Sequence, residues 1–555
     1  MVSHYIRGGQ IFLHKIRMFA QVWYKNLLFA TILASIVAFY IHHQKFSIIE
    51  FHSTKTYAKA LLTSKIDLMF QKETATNIAA YSQYGIYAKN IPNHKILSHP
   101  FFKRKFQATI NILYTAFIDF LYIFLLFYCL LITIWHLFGK FASRINIIEG
   151  RNILKDTEVN KILKREKMKS IFQLGTMHLV KNSESSHILF TGTTGTGKTS
   201  GIKQLIHQIR KVNNRAIIID YNGQFSQEFY QEGDYIIGTK DYCWDLLEDI
   251  RDPDNLSNVA NAIFDGKGGN YDEMWNNASK SFFTDCANIT LQKQGAGADD
   301  LYNMLAKIPL KKLHQMLKGC ASHSMLDPSN EKTALSIRTN TIAYLDWLKQ
   351  IKSTLNKISL VNWIKAANPE DGRWLFLKST PKERSSLRSL YAIMLDLIIN
   401  QIMELGENPH RRIWMIIDEL PSLKKIPSLE TALFEFRKYG GCIVSSAQSL
   451  HQLFDIYGSS KAYAMIDQFN TKFVFRSDEY NFANYLCKGL GDLKYIEKSE
   501  NYSYGSHEIR DGVNISSIEK SKALITPKDI ANLDNFECYS ILPYSKVKIA
   551  KIKIR

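Results

Sequence analysis

HILFTGTTGTGKTS, residues 187–200, places an apolar run directly before a glycine-rich loop and a helix-forming segment. Residues 192–199, GTTGTGKT, have the spacing G-x-x-x-x-G-K-T in the strand–loop–helix context that a phosphate-binding loop requires. Glycines let backbone N–H groups surround phosphate oxygens because no Cβ blocks the approach, and the following helix adds its positive dipole end. The segment therefore predicts a nucleotide-binding α/β domain.

The polar residues of this loop suit a nucleoside triphosphate and its metal. Lys198 can reach the β- and γ-phosphates, and the Thr199 hydroxyl can hold Mg²⁺. A chance Gly/Thr-rich loop is the alternative, and the flanking strand and helix argue against it. We expect ATP and Mg²⁺ as ligands. The predicted nucleotide-binding residues are Gly192, Thr193, Thr194, Gly195, Thr196, Gly197, Lys198, Thr199 and Ser200.

Short apolar runs alternate with amphipathic helices from about residue 171 onward. This pattern is typical of a parallel sheet that helices cover on both faces. The candidate strands are His187–Phe190, Ala216–Asp220, Trp374–Lys378, Ile413–Asp418, Cys442–Ser446 and Lys472–Arg476. Polar residues at the carboxyl ends of these strands are therefore expected beside the phosphate loop.

The run IWMIIDE, residues 413–419, ends in two carboxylates. Asp418 at the strand tip is predicted to orient Mg²⁺ through water, and Glu419 to act as the general base that polarises the attacking water. The alternative is a strand that ends in acids because it reaches solvent. The phosphate loop earlier in the chain makes the catalytic interpretation the more specific one.

Two further residues are candidates for the hydrolytic site. Gln448 ends the run GCIVSSAQ, where its amide could contact the γ-phosphate or the water, although a loop amide is the alternative. Arg437 lies in the intervening helix and is either a surface charge or a finger inserted into the site of a neighbouring subunit. Asp220 and Asn222 fit a turn at the sheet edge, and a purely structural role is sufficient to explain them.

Composition limits the classes of protein and partner. The 555 residues include 46% hydrophobic residues, which excludes a disordered chain, and carry a net charge of +19, which favours nucleic acid or anionic lipid as a partner. Seven scattered cysteines form no C-x-x-C pair, and no His cluster has metal spacing. We expect reduced thiols in a cytosolic compartment, with neither a zinc site nor a disulfide framework.

Two apolar segments predict a membrane anchor, with buried core helices as the alternative. Leu27–Ile41 is uncharged, and Leu113–Phe138 is long enough to span a bilayer. Asp119 in the second segment is either a buried functional carboxylate or an interfacial residue. We predict transmembrane helices at about 24–42 and 113–138, joined by a small outer loop. The basic flanks and the need for ATP place both ends in the cytoplasm.

The strand pattern stops between about Arg251 and Asn368, where apolar residues recur at helical spacing. This predicts an all-α insertion. The expected division is a membrane anchor over 1–145, a nucleotide-binding domain in two parts over 146–250 and 369–555, and the insertion over 251–368. Residues 546–555 alternate basic and apolar side chains, which predicts a last strand with one solvated face and, as a second interpretation, a DNA-binding strip.

These motifs, in this order, resemble the type IV conjugative coupling proteins, the TraD/TraG family, which are membrane relatives of the FtsK/RecA-like DNA translocases. The resemblance covers most of the chain. Its most specific parts are Ile188–Ser200, Ile219–Phe225 (IDYNGQF), Trp374–Leu397 (WLFLKSTPKERSSLRSLYAIMLDL) and Ile413–Ser449.

The resemblance implies a RecA-like P-loop NTPase fold with an all-α insertion, assembled as hexamers around a channel in a multi-pass protein of the bacterial inner membrane. It also implies partners: single-stranded DNA, a relaxase or relaxosome, components of a type IV secretion channel, and membrane lipids. By position, Lys198 and Thr199 match the family's phosphate loop, Asp418 and Glu419 its acidic pair, Gln448 its downstream glutamine, and Arg437 its proposed trans-acting arginine. Longer members carry an acidic tail, whereas this sequence ends in a basic run, so relaxosome recruitment through such a tail is not expected.

The leading hypothesis is a membrane-anchored ATPase that couples a DNA–relaxase substrate to a type IV secretion channel and pumps single-stranded DNA. One alternative is an ATP-gated receptor for protein effectors of such a system. Another is an FtsK-like translocase of double-stranded DNA, although the two spans and the helical insertion count against it. Dependence of ATP turnover on DNA discriminates these hypotheses.

Overall fold

The computed structural model describes residues 2–70, 74–82, 85–142, 146–150, 152–238, 242–264, 270–351, 355–366, 372–503, 512–547 and 549–554. The chain divides into two compact units, Met1–Ile145 and Asn146–Arg555.

The first unit is mainly helical. Its elements are α1 (Val2–His42), α2 (Ile48–Phe70), β1 (Ala75–Ser82), β2 (Gly85–Pro92), α3 (Asn93–Ser98) and α4 (Pro100–Ala142). Among the described residues, two helical stretches are long and apolar enough to cross a membrane, Phe19–Lys45 and Pro100–Phe138. The first stretch contains the predicted span 24–42, and the second contains the predicted span 113–138. The predicted outer loop holds helices and an antiparallel hairpin.

The long helices α1 and α4 pack against each other within this unit. Ala30, Ala34 and Ala38 form a buried stripe on α1, and small side chains at this spacing let two helices approach closely. One turn further along, the Nε2 atom of the buried His42 lies 2.8 Å from Asp119 Oδ2. Asp119 is therefore a half-exposed partner of His42 and part of the helix pairing.

The second unit begins with the strands and helices that carry the phosphate loop. These elements are β3 (Asn146–Glu149), β4 (Leu154–Lys155), α5 (Asp156–Arg165), β5 (Lys169–Leu174), β6 (Met177–Val180), β7 (Ile188–Thr191), α6 (Lys198–Lys211), β8 (Arg215–Asp220), α7 (Gln224–Phe229), β9 (Tyr235–Ile237), β10 (Tyr242–Trp244) and α8 (Leu246–Asp249).

A helical segment follows, and the chain then returns to the sheet. The helical segment contains α9 (Pro253–Phe264), α10 (Asn270–Leu291), α11 (Ala298–Ala306), α12 (Leu310–Met316) and α13 (Glu331–Tyr344). Next come β11 (Asn356–Ile358) and α14 (Leu360–Lys365). The short strand β11 lies inside the range predicted as all-α, yet it pairs with β10 and extends the sheet.

The remaining elements complete the nucleotide-binding domain. They are β12 (Leu375–Lys378), α15 (Arg384–Glu404), β13 (Ile413–Ile417), α16 (Leu429–Tyr439), β14 (Gly441–Ala447), α17 (Leu450–Tyr457), α18 (Ser459–Gln468), β15 (Thr471–Phe475), α19 (Tyr480–Leu490), β16 (Asp492–Ser503), β17 (Gly512–Ala523), α20 (Pro527–Ala531), β18 (Glu537–Ile541) and β19 (Ile549–Lys553).

Twelve strands among the described residues form one sheet in the order β11-β10-β9-β12-β8-β13-β14-β7-β15-β18-β19-β4. The six predicted strands are its contiguous centre, from β12 to β15, and all pair in parallel. The sheet is not parallel throughout, because β18 pairs antiparallel with both β15 and β19. The strand order sets β14 between β7 and β13, so the loops after these three strands meet at one edge.

Both faces of the central sheet are buried, as the apolar strands predict. Along β8, Ile217 and Ile219 enter one hydrophobic core while Ala216 and Ile218 enter the other. The first core continues into the helical segment, and the second is closed by α6. A sheet held in this way from both sides provides a rigid base for the loops at its edge.

Two features outside the central strands differ from the sequence-based expectation. The antiparallel pair β16 and β17 forms a separate three-stranded sheet with β3, which no sequence pattern indicated. The terminal strand predicted over 546–555 is shorter in the structure: β19 covers Ile549–Lys553, with Lys551 and Lys553 exposed and Ile552 buried, and Ser545–Val547 form a 3₁₀ turn. Lys548 and Arg555 of that predicted strand lie outside the described residues.

Candidate nucleotide site

The phosphate loop connects β7 to α6 and has a backbone that only glycine suits at two positions. Gly192 has φ of 145°, and a Cβ there would lie 2.8 Å from Phe475 Cβ. Gly197, with φ of 117°, precedes the first residue of α6. Positive φ and this close packing explain why the motif needs glycines at both ends of the loop.

Lys198 is buried at the start of α6, with only 6% of its surface exposed. Its Nζ donates hydrogen bonds to the carbonyl oxygens of Gly192 (2.7 Å) and Thr193 (2.9 Å). Burial lowers the pKa of Lys198, and the nearby carboxylates of Glu419 and Asp418 oppose this fall. The Lys198 ammonium therefore lies within the phosphate loop, at the position where an anionic phosphate would bind.

Asp418 follows β13 and contacts the phosphate loop directly. The Thr199 hydroxyl donates to Asp418 Oδ2 (3.1 Å), and the Ser446 hydroxyl donates to Oδ1 (2.7 Å). Folding thus joins two predicted Mg²⁺-holding residues that lie far apart in sequence. A hydroxyl and a carboxylate are the hard oxygen ligands that Mg²⁺ prefers beside a nucleotide phosphate, so these residues fit the ion.

Glu419 has a left-handed backbone, with φ of 70°, which is uncommon for a residue with a side chain. Its N–H donates to Ser446 Oγ (2.9 Å), and its carbonyl oxygen accepts from the N–H and the hydroxyl of Ser422 (2.9 and 2.6 Å). These bonds hold a conformation that costs of order 1–3 kcal/mol. Strained residues of this kind cluster at functional sites.

The carboxyl group of Glu419 has an environment that suits proton transfer. Burial raises its pKa, while the Gln448 amide and the Lys198 ammonium oppose that rise. A carboxylate with a raised pKa is a better proton acceptor, which is the property a general base requires. Gln448 also accepts a hydrogen bond at Oε1 from the Thr194 hydroxyl (3.0 Å), so it links the acidic pair to the phosphate loop.

These residues surround one cavity of about 470 Å³ at the carboxyl edge of the parallel strands. Its volume is in the range of small-molecule sites. The sequence-predicted residues on its wall are Thr194, Gly195, Gly197, Lys198, Thr199, Ser200, Asp418, Glu419 and Gln448. Gly192, Thr193 and Thr196 belong to the same loop but are not on the cavity wall.

Arg437 is the one predicted catalytic residue that the chain does not bring to this cavity. It is exposed in the last turn of α16 and is not among the residues that line the site. Its role as a finger in a neighbouring subunit stays a prediction.

Several wall residues were not predicted to bind nucleotide. They are Ile219, Asp220, Tyr221, Asn222, Gln224, Phe225, Arg384, Ser422 and Phe536. Asp220 accepts hydrogen bonds from the N–H groups of Phe225 (3.3 Å) and Ser226 (2.8 Å), so it holds the turn before α7 as well as lining the cavity. Phe536 comes from the distant C-terminal region, and its N–H donates to the Thr196 carbonyl (2.8 Å).

Sequence signals existed for some of these residues. Tyr221 and Asn222 lie in IDYNGQF and Arg384 in WLFLKSTPKERSSLRS, two segments that are among the most specific parts of the family resemblance. Ser446 ends a predicted strand, but nothing local indicated that it would bond both Asp418 and Glu419. For Phe536 we find no signal in the sequence.

Comparison with known proteins gives a family match over residues 171–555, to the type IV secretion-system coupling protein DNA-binding domain. Among curated proteins, the chain is 30% identical over 423 residues to the coupling protein TraD of Escherichia coli K12, which covers 74% of the chain and 59% of TraD. It is 21% identical over 182 residues to VirD4 of Agrobacterium fabrum, covering 32% of the chain and 27% of VirD4. The chain thus spans less than two thirds of these relatives.

Solved structures of the coupling protein TrwB share the fold. The unbound TrwBΔN70 structure superposes with a TM-score of 0.63 and 23% sequence identity, covering 74% of the chain and 93% of TrwBΔN70. TrwB in complex with the ATP analogue ADPNP gives a TM-score of 0.64, also at 23% identity, with 74% and 94% coverage. The nucleotide-binding unit therefore has the fold of TrwB.

Proposed function

The chain belongs to the type IV secretion-system coupling proteins, and from this membership we propose that it is a membrane-anchored ATPase that couples a DNA–relaxase substrate to a type IV secretion channel and pumps single-stranded DNA. The observation that carries the ATPase proposal is the convergence of Lys198, Thr199, Asp418, Glu419 and Gln448 on one cavity. The crystal structures of TrwB with ADPNP, and with ADP and Mg²⁺, support the choice of ligand.

The proposed hydrolytic site divides its tasks among the wall residues. Backbone N–H groups of the loop and the Lys198 ammonium bind the phosphates, while Glu419 accepts a proton from the attacking water. Gln448 orients that water and connects it to Thr194. Thr199 and Asp418 would hold Mg²⁺, which when bound neutralises charge on the β- and γ-phosphates.

DNA binding is proposed to be electrostatic and tolerant of sequence. The net charge of +19 provides the general attraction. The helical segment adds exposed lysines on and around α12, which are Lys307, Lys311, Lys312, Lys318 and Lys332. We expect the affinity to fall steeply with salt, because each phosphate contact releases condensed counterions.

The remaining assignments complete the proposal. The two apolar helices anchor the protein in the bacterial inner membrane as a multi-pass protein, with the ATPase unit in the cytoplasm. Six copies assemble around a channel, where Arg437 of one copy reaches the site of the next. The partners are a relaxase or relaxosome and components of the secretion channel.

The experiment is ATP turnover by the detergent-solubilised full chain with single-stranded DNA, double-stranded DNA or no DNA. We expect turnover that single-stranded DNA stimulates, and loss of turnover in Lys198→Ala. Stimulation by duplex alone would instead indicate an FtsK-like translocase. Stimulation by a secreted protein and not by DNA would indicate an effector receptor.

A further inference from the structure

The wall of the nucleotide cavity includes the guanidinium group of Arg384. Tyr221 and Asn222 follow β8, and Arg384 is the first residue of α15. All three line the cavity together with the phosphate loop and the acidic pair. None of them has a task in the hydrolytic site described so far.

Arg384 is oriented by two neutral neighbours. Its Nη2 donates a hydrogen bond to Asn222 Oδ1 (3.0 Å), and its Cζ lies 4.9 Å from the centroid of the Tyr221 ring. Its Nε is buried and has no hydrogen-bond partner among the described residues. An amide oxygen and an aromatic ring fix the group without neutralising its charge, so the cation is available to an anion in the cavity.

Two further cations, Arg388 and Lys424, lie behind the cavity wall rather than on it. Arg388 lies one turn further along α15, and its Nε is likewise buried without a partner in the described part of the chain. Burial, and the charge of Arg388, lower the pKa of Lys424. Of these three cations, Arg384 is the one on the cavity wall, where the carboxylates of Asp220, Asp418 and Glu419 also lie.

Helix α15 connects this position with the helical segment. It contains 21 residues, about 30 Å at 1.5 Å per residue, and most of its length is buried. Near its far end, Gln401 Nε2 donates to Asn255 Oδ1 of α9 (2.9 Å). The helix α9 is the first of the helical segment, and it also packs along α15. A shift at Arg384 would thus reach the segment proposed to bind DNA through one packed helix.

We propose that Arg384 binds the terminal phosphate of ATP in its own subunit, and that α15 transmits the presence or loss of that phosphate to the helical segment. The planar fork of a guanidinium suits a phosphate, with two donors available to its oxygens. Hydrolysis removes this partner while leaving ADP in place. The inference rests on the proposed function as an ATPase. Arg384 would contact the nucleotide of its own subunit, whereas Arg437 is predicted to reach the nucleotide of a neighbouring subunit.

The test is the ratio of affinities for two nucleotides in the full-length protein. In Arg384→Gln we expect the affinity for a non-hydrolysable ATP analogue to fall about tenfold, roughly the effect of one charge-assisted contact, with ADP affinity unchanged. Arg384→Lys should give a smaller loss in the same direction. Lys382→Gln, an exposed change two residues earlier, is the matched control and should alter neither affinity.

Equal losses for both nucleotides in Arg384→Gln, or no loss for either, would overturn the proposal. If the wild-type chain binds neither nucleotide, the proposed ATPase function fails as well. If it binds both and Arg384→Gln keeps the wild-type ratio, only the role of Arg384 is refuted.

Hydrogen exchange provides a second readout that does not depend on turnover. We expect exchange in α9, around Asn255, to differ between the ATP-analogue and ADP complexes of the wild type, and this difference to disappear in Arg384→Gln. A difference that persists in the variant would contradict transmission from Arg384 through α15.

Discussion

The two ends of the parallel strands both bury charged groups, but they use them differently. At the carboxyl end, Lys198, Asp418 and Glu419 face a cavity. At the amino end, Asp234 is 5% exposed and accepts hydrogen bonds from Arg210 Nη1 (3.2 Å) and the backbone N–H of Trp374 (2.7 Å). Buried charge alone therefore does not identify a functional site. The distinguishing feature is whether the charges face each other or face a space that a ligand can enter.

The largest effect is expected from Glu419→Gln at the carboxyl end. It removes the proposed base but keeps the shape of the side chain, so we expect ATP turnover to fall by roughly 10²- to 10⁴-fold while ATP binding persists. Turnover and equilibrium binding should be measured on the same preparation. Glu407→Gln, an exposed carboxylate, is the control. Normal turnover in Glu419→Gln would show that another group is the base.

At the amino end, Asp234→Ala should reduce stability and leave the site intact. The change leaves Arg210, whose side chain is only 11% exposed, without its carboxylate, which costs of order 3–5 kcal/mol of unfolding free energy. Denaturant or thermal unfolding would measure the loss, with the exposed Glu232→Ala as a control. A variant that folds normally but loses ATP affinity would contradict the separation of the two ends.

A pH effect of intermediate size is expected from His187, immediately before β7. Its ring is fully buried, its Nδ1 accepts from the Ile443 N–H (3.1 Å), and burial lowers its pKa to about 4. Because the unfolded chain has a His pKa near 6.5, it binds more protons than the folded state between about pH 4 and 6.5. The contribution of His187 to stability should therefore fall as pH drops through this window.

The measurement is the thermal midpoint at several pH values for the wild type and for His187→Asn, since Asn tolerates the positive φ of 62° at this position. Comparison with the variant is necessary because burial raises the pKa of Asp249 to about 6, which gives a trend of opposite sign. We expect the thermal midpoint to fall less steeply with decreasing pH in the variant than in the wild type. Identical slopes for both proteins would refute the assignment to His187.

The smallest effect within one chain is expected from Arg437→Ala. Because Arg437 is exposed and away from the cavity wall, nucleotide affinity and unfolding temperature should not change. Turnover should fall only under conditions in which the protein assembles. Turnover should therefore be measured across a range of protein concentrations. Loss of affinity at concentrations that favour single chains would show that Arg437 acts within its own subunit.

The sequence predicted the central sheet and half of the residues on the cavity wall, because those signals are local. The phosphate-loop spacing identifies Lys198 and Thr199, and an apolar strand ending in two acids identifies Asp418 and Glu419. Their mutual placement follows from one rule, that parallel strands end at a common edge. The expected nucleotide-binding fold is confirmed by its likeness to TrwB.

Other features depend on contacts between distant segments, which local patterns do not carry. Phe536 reaches the phosphate loop only because β18 pairs antiparallel with β15. Arg384 was visible as part of a family-like segment, but its place on the cavity wall requires α15 to begin beside the turn after β8. The antiparallel edge of the sheet and the β16–β17 hairpin were not foreseen for the same reason.

The most direct test of the account is a crystal or cryo-EM structure of the full chain with Mg²⁺ and a non-hydrolysable ATP analogue. We predict that the β- and γ-phosphates lie within the Gly192–Thr199 loop, with the ion beside Thr199 and Asp418 and the terminal phosphate facing Glu419. A nucleotide bound elsewhere, or a bound state in which the loop and the acidic pair have separated, would contradict it.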